Sequence, residues 1–241
     1  MTQPSDAGGL RLGPGVLPLI VAGDGLLWLG LGVGLSRAGM VSPLLGLIVV
    51  ATSAVPAAAA VILGIRGVRR EGGLPARIGL AIGGGQTLVL LAFGLPGARV
   101  PVINDVTTDV DAPPEIRIGA GADSPAYPRA FVSRQRSGYP DLTSLRVPWG
   151  ADSTLVRARR VANELGWDSV VPTPDGFRAI DRTNVLRFTD DIAVRIRADT
   201  GGSVVDVRSR SRVGRSDLGV NARRIRRFLA AMAAAPAKGN P

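Results

Sequence analysis

Residues 12–98 run in long apolar blocks, whereas from residue 100 onward polar and apolar positions interleave at short range. Three of the blocks, 15–35, 43–65 and 78–97, have the roughly 20 residues that a helix needs to cross a hydrocarbon core. They are predicted to be transmembrane helices. The second holds no charge, and Gln86 is the strongly polar member of the third. Gly83, Gly84 and Gly85 are followed by no Lys, so they read as a place where helices approach closely and not as a phosphate-cradling loop.

Beyond residue 100 the pattern changes twice. Pro101 to Trp149 is rich in Pro, Gly, Asp and Ser and reads as an extended wrapping arm with one or two short strands and no packed helix. A helix follows, with Ser153 as N-cap, Leu155, Ala158, Ala162 and Leu165 as its apolar stripe, and Gly166 as its stop; Arg157, Arg159 and Arg160 largely face solvent. After Trp167 the period becomes two, which predicts strands over 168–172, 177–182, 185–198 and 203–213, separated by the turn formers PDG, RTN and DTGG.

If DTGG closes a four-residue hairpin, Ile192, Val194 and Ile196 oppose Ser209, Val207 and Val205 on one face. The same register sets Arg195 against Asp206 and Asp191 against Arg210 on the other. Asp190 falls on the apolar side. Either a bulge turns it outward, or it is buried against an arginine such as Arg212. A last helix is expected to start after Ser216, whose hydroxyl caps it, and to run to about Ala234. Its stripe is Leu218, Ala222, Ile225, Leu229 and Met232, with Phe228 at the edge. The predicted fold class is α+β, with a transmembrane region over 1–99 and, over 100–241, an antiparallel sheet domain packed with two helices.

Charge adds orientation. The connection between the second and third spans carries Arg66, Arg69, Arg70 and Arg77, while that between the first and second carries Arg37 alone. The positive-inside rule then predicts a cytoplasmic N-terminus near Arg11 and an extracytoplasmic domain after Val100, in a multi-pass cell-membrane protein. The first span lacks the strongly basic start of a cleaved signal peptide and continues apolar for too long. It also carries Asp24. A carboxyl group near mid-span costs several kcal/mol unless it is paired, protonated or wet. The residues favour a neutral acid hydrogen-bonded to Gln86 or Thr87 over a functional one.

The net charge is +10, and 28 of the 29 basic residues are Arg. Counterion release would favour any polyanion, but insertion in a bilayer makes nucleic acid an unfavoured partner. The chain has no Cys and no His, which removes thiol nucleophiles, disulfides, Cys/His zinc sites and every Ser-His-Asp arrangement. No cofactor is implied.

The segments NDVTTD (Asn104 to Asp109), FTDDIAVRIR (Phe188 to Arg197) and VDVRSRSRVGRSDLGVNARRIRRFL (Val205 to Leu229), in that order with PP and Gly-Trp between the first two, resemble the domain of unknown function 1499 family over about 100–232. Arg210, where the family has an apolar residue, and Thr189, where it more often has a charged one, depart from its pattern. The resemblance implies an outer domain often preceded by membrane spans and no established activity.

Three function classes follow. The first is a membrane-anchored binding or envelope-associated protein whose outer domain recognises an anionic ligand, a lipid head group or a protein partner. Its candidate site is Arg208, Arg212 and Arg215 with the free amides after Ser216, helped by Asn221. The competing reading is that these arginines pair with Asp191, Asp206 or Asp217 and lock strand to helix. The second is an enzyme using carboxylates, or a metal held by Asn104, Asp105, Asp109 and Asp190. The third is a small transporter subunit built on Asp24 and Gln86. The first is preferred.

Overall fold

A computed structural model of the chain describes residues 15–70, 72–116 and 125–234. Arg11 lies outside the described residues. The chain divides into two compact units, 1–95 and 96–241.

The first unit holds α1 (Val16–Arg37), α2 (Pro43–Thr52), α3 (Ala54–Arg69) and α4 (Gly73–Gly94). Among the described residues, three stretches are long and apolar enough to cross a membrane: α1, α2 with α3 as one run of 27 residues, and α4. Ser42 caps α2 by accepting from the Leu45 amide at 3.2 Å, with Pro43 at the first helical position. The run is interrupted at Ser53 because Pro56 has no amide hydrogen to return to the Thr52 carbonyl. The third span starts at Gly73 and not at Ile78, since Pro75 is tolerated in a first turn and Arg77 is a good helix former.

Small residues make the packed faces of these helices: Ala22, Gly25 and Gly32 on α1, Ala57, Ala60 and Gly64 on α3, and Ala76, Gly79 and Gly83 on α4. A Cβ on Gly83 would lie 2.9 Å from the Ala57 carbonyl oxygen, so the close approach expected of the triplet is made by Gly83, while Gly84 and Gly85 face open space.

The second unit contains β1 (Asp105–Thr107), α5 (Arg129–Gly138), β2 (Leu145–Val147), α6 (Ala151–Glu164), β3 (Asp168–Thr173), β4 (Gly176–Arg182), β5 (Thr189–Asp199), β6 (Gly202–Ser211) and α7 (Val220–Ala233). The strands form one antiparallel sheet in the order β1-β6-β5-β4-β3, and β2 shares the β6 edge with β1. The β5–β6 hairpin has the predicted register: Ile192 opposes Ser209, Val194 opposes Val207, Ile196 opposes Val205, Arg195 opposes Asp206 and Asp191 opposes Arg210. The residues of one face, Val106, Phe177, Ile192, Val194, Val205 and Val207, pack with Val161 and Ala162 of α6 and Ile225, Phe228 and Met232 of α7. Trp167 stacks on Phe228 with ring centroids 4.9 Å apart.

Several expectations are corrected. The arm Pro101 to Trp149 has its two short strands but also the helix α5, whose single buried residue is polar: Gln135 donates to the Thr107 carbonyl at 2.6 Å and accepts from the Thr107 amide at 3.0 Å. Its amide thus extends the sheet edge beyond β1. α6 is preceded by Gly150 without a side-chain cap, and Ser153 lies exposed inside the helix. Arg157 does not face solvent; it donates to the Ala231, Met232 and Ala234 carbonyls, closing the C-terminus of α7. Residues 185–188 are a turn, closed by the Thr183 hydroxyl accepting from the Phe188 amide, and β5 starts only at Thr189. No bulge occurs at Asp190: its pairing with Asp181 and Ser211 is unbroken, and the irregularity falls between Asp168 and Val171.

Candidate functional site

The face of the sheet beneath α7 carries a buried polar network among apolar residues. Asp190 is 1% exposed and Arg224 is 6% exposed. The guanidinium Nη2 donates to Asp190 Oδ2 at 2.6 Å, and Nε to Asp181 Oδ2 at 2.7 Å. Its Nη1 donates to Asn221 Oδ1 at 2.6 Å and Ser209 Oγ at 2.9 Å. Asp190 is therefore buried against an arginine, but Arg224 and not Arg212. Alternation puts Asp190 on the helix-covered side of the sheet and Arg212 beyond the end of β6, so only a residue descending from α7 can reach it. The buried stripe of α7 is accordingly Asn221, Ala222, Arg224, Ile225, Phe228 and Met232; Phe228 is at its centre, and Leu218 stands exposed outside the helix at φ +52.

The opposite face holds a second network. Arg208, 2% exposed, donates through Nε and Nη2 to the two Asp105 oxygens at 2.9 and 2.7 Å, and to the Pro114 and Pro125 carbonyls. Asp206 accepts from Arg195, Arg197 and the Ser144 hydroxyl. Asp105 and Asp190 lie on opposite faces of the sheet, and among the described residues no three acids come together to hold a metal ion.

The turn between β6 and α7 is folded around Asp217. One carboxylate oxygen accepts from the Gly219 amide at 2.8 Å and the other from the Asn221 amide at 2.7 Å. The helix start is thus filled by the chain's own anion, and Asp217, not Ser216, supplies the cap; Ser216 Oγ accepts from the Leu218 amide at 3.3 Å. Burial raises the Asp217 carboxyl above the usual range, partly offset by those amides.

The five residues expected to form an anion site are therefore distributed. Arg208 is committed beneath one face, and Asn221 is buried beneath the other, donating to Asn104 O and Ser211 Oγ. Arg212 forms a two-point pair with Asp191 at 2.9 and 2.7 Å and stays 41% exposed. Arg215 is exposed and Ser216 half-buried in the turn. In the first unit, Gln86 donates to the Gly25 carbonyl at 2.9 Å and Thr87 to the Gly83 carbonyl, while Asp24 bonds to neither; Gly25 faces the bundle, which turns Asp24 outward.

The arrangement also exposes a constellation outside that expectation. A cavity of about 370 Å³ beside α7 is lined by Leu165, Trp167, Asp181, Val220, Arg223, Arg224, Arg226 and Arg227. Arg224 neutralises Asp181, and Asp141 neutralises Arg226 through bonds of 2.6 and 2.7 Å. Arg223 donates only to the Leu218 carbonyl, and Arg227 makes no ion pair among the described residues. Among the described residues, Arg223 and Arg227, one turn apart, thus line the cavity without an ion pair, beside Leu165, Trp167 and Val220. The signal in the sequence is the doublets Arg223-Arg224 and Arg226-Arg227, and only the buried stripe through Asn221, Arg224 and Phe228 separates the buried Arg224 from the exposed Arg223 and Arg227.

No curated protein and no solved structure matches the chain. The family model described as "Protein of unknown function (DUF1499)" matches residues 105–232, which take in all six strands and most of α7. On that match, the chain belongs to the DUF1499 family.

Proposed function

We propose that this chain is a membrane-anchored binding protein whose sheet domain recognises an anionic group bearing an apolar portion, such as a lipid head group with the start of its chains. The observation that carries this reading is the pair Arg223 and Arg227 lining a cavity together with Leu165, Trp167 and Val220, with the nearby carboxylates Asp181 and Asp141 held by other arginines. Arginines free to fork onto phosphate or carboxylate, next to apolar surface, suit such a ligand. The pairing of Asp105, Asp181, Asp190, Asp191 and Asp206 with arginines favours binding over a carboxylate-based enzyme.

The test uses the full chain in detergent, with inorganic phosphate, short-chain phosphatidylglycerol and short-chain phosphatidylcholine as probes. Phosphatidylglycerol at about 100 times its Kd is expected to stabilise the fold by about 2.7 kcal/mol, in a salt-sensitive manner, with little response to phosphatidylcholine. Arg223→Ala with Arg227→Ala removes that gain and leaves the unliganded melting temperature nearly unchanged. Loss on Arg212→Ala with Arg215→Ala instead would move the site to the β6–α7 turn. Equal response to both lipids would end the reading.

A further inference from the structure

The outward side of α1 carries an unpartnered polar group. Its inward side, Pro18, Ala22, Gly25, Gly32 and Ser36, is buried in the bundle. On the other side Leu17, Ile20, Leu27 and Leu31 are 46%, 49%, 59% and 41% exposed, and Asp24 and Gly34 are exposed with them. These six positions are spaced 3, 4, 3, 4 and 3 residues apart, which is the seam of a helix that packs along its length against another helix. α1 has 22 residues, so at about 1.5 Å per residue Asp24 sits about 4 Å from its middle. It makes no hydrogen bond or ion pair among the described residues.

We propose that this seam joins two copies of the chain, Asp24 against Asp24. A carboxyl group at mid-span facing hydrocarbon needs a partner, and intramembrane acids pair with one another or with other polar groups. Two copies of a multi-span protein insert in the same direction, so a two-fold axis along the membrane normal brings equal depths together. It places the seam against itself and the lone polar residue opposite its own counterpart. One carboxyl group can donate to the other through a shared proton, which a purely apolar partner helix does not offer. A single polar seam position also sets register and the number of helices, because any slip leaves it facing lipid. Gly34 lets the helices approach at one end; a Cβ there meets nothing within 4 Å of its own fold.

The chain has no Cys, so introduced cysteines report without background. In membranes holding the full-length protein, Ile20→Cys and Leu27→Cys are expected to form disulfide-linked dimers on mild oxidation. Leu26→Cys, at nearly the same depth but about 100° round the helix, is expected not to. In detergent, Asp24→Leu should weaken dimerisation by about tenfold, and Asp24→Asn, which both donates and accepts, should retain it. Crosslinking of Leu26→Cys as readily as Leu27→Cys overturns the proposal, as does an Asp24→Leu dimer of undiminished stability. So does a monomeric wild type, or Ile20→Cys and Leu27→Cys linking only to a different protein.

Discussion

Arg224 is the residue on which the helix-covered side of the sheet turns. It delivers one positive charge to two carboxylates, Asp181 and Asp190, and two neutral acceptors, all within 2.9 Å. Removing it leaves Asp190 buried with no cation, and breaking a buried pair from one side costs about 3–5 kcal/mol. Arg224→Met is therefore expected to lower stability by that amount, while Arg227→Met, on the same helix but without an ion pair among the described residues, should change it by no more than about 0.5 kcal/mol. Denaturant unfolding of the full chain in detergent checks the difference. Equal effects would mean that the pair merely offsets its own desolvation. Strand parity placed Asp190 on the apolar side but left a bulge as an alternative, which its unbroken pairing with Asp181 and Ser211 removes. Its partner was not legible, because the acid and the arginine are 34 residues apart and only the packing of α7 on β6 and β1 brings them together.

At the scale of elements, what could be read from the pattern was whatever rests on a repeat. The β5–β6 hairpin was legible because a period of two and a Gly-rich turn constrain the same register from both ends. α5 was not, since it carries no regular apolar stripe; the Gln135 amide mimics a strand partner, and Phe131 packs against the core beside it. Both tyrosines of the chain flank this helix. Tyr127 donates to Gln135 Oε1 at 2.9 Å, and burial together with Asp105 raises its phenol far above the usual value. Burial pushes the Tyr139 phenol up to about 12, with Asp217 adding to the rise and Arg226 and Arg223 opposing it. A raised value means that the fold favours the neutral phenol, so this stabilisation is complete below about pH 10 and is lost as pH rises toward 12. Native protein should accordingly show little tyrosinate absorbance at 295 nm at pH 10.5, where the urea-unfolded chain is largely ionised. Superimposable titrations would show that α5 does not shield these rings.

For the molecule as a whole, the choice of ligand depends on which side of the bilayer the sheet domain occupies. Arg66 and Arg69 in the last turn of α3, Arg70 beyond it and Arg77 in α4 outnumber Arg37 at the end of α1. By the positive-inside rule these residues would lie on the cytoplasmic side, and three spans would then direct the domain outward, where lipid head groups and envelope polymers would be the available anions. Introduced single cysteines test this with a membrane-impermeant maleimide on sealed right-side-out vesicles. Ser153→Cys, exposed on α6, should be labelled directly, and Arg69→Cys, exposed at the end of α3, only after permeabilisation. The reverse pattern would put Arg223 and Arg227 in the cytoplasm, facing soluble phosphates as well as inner-leaflet lipid. The arginine pair would then have to be tested against those anions first, while the Asp24 seam, which lies at mid-depth, would stand in either orientation.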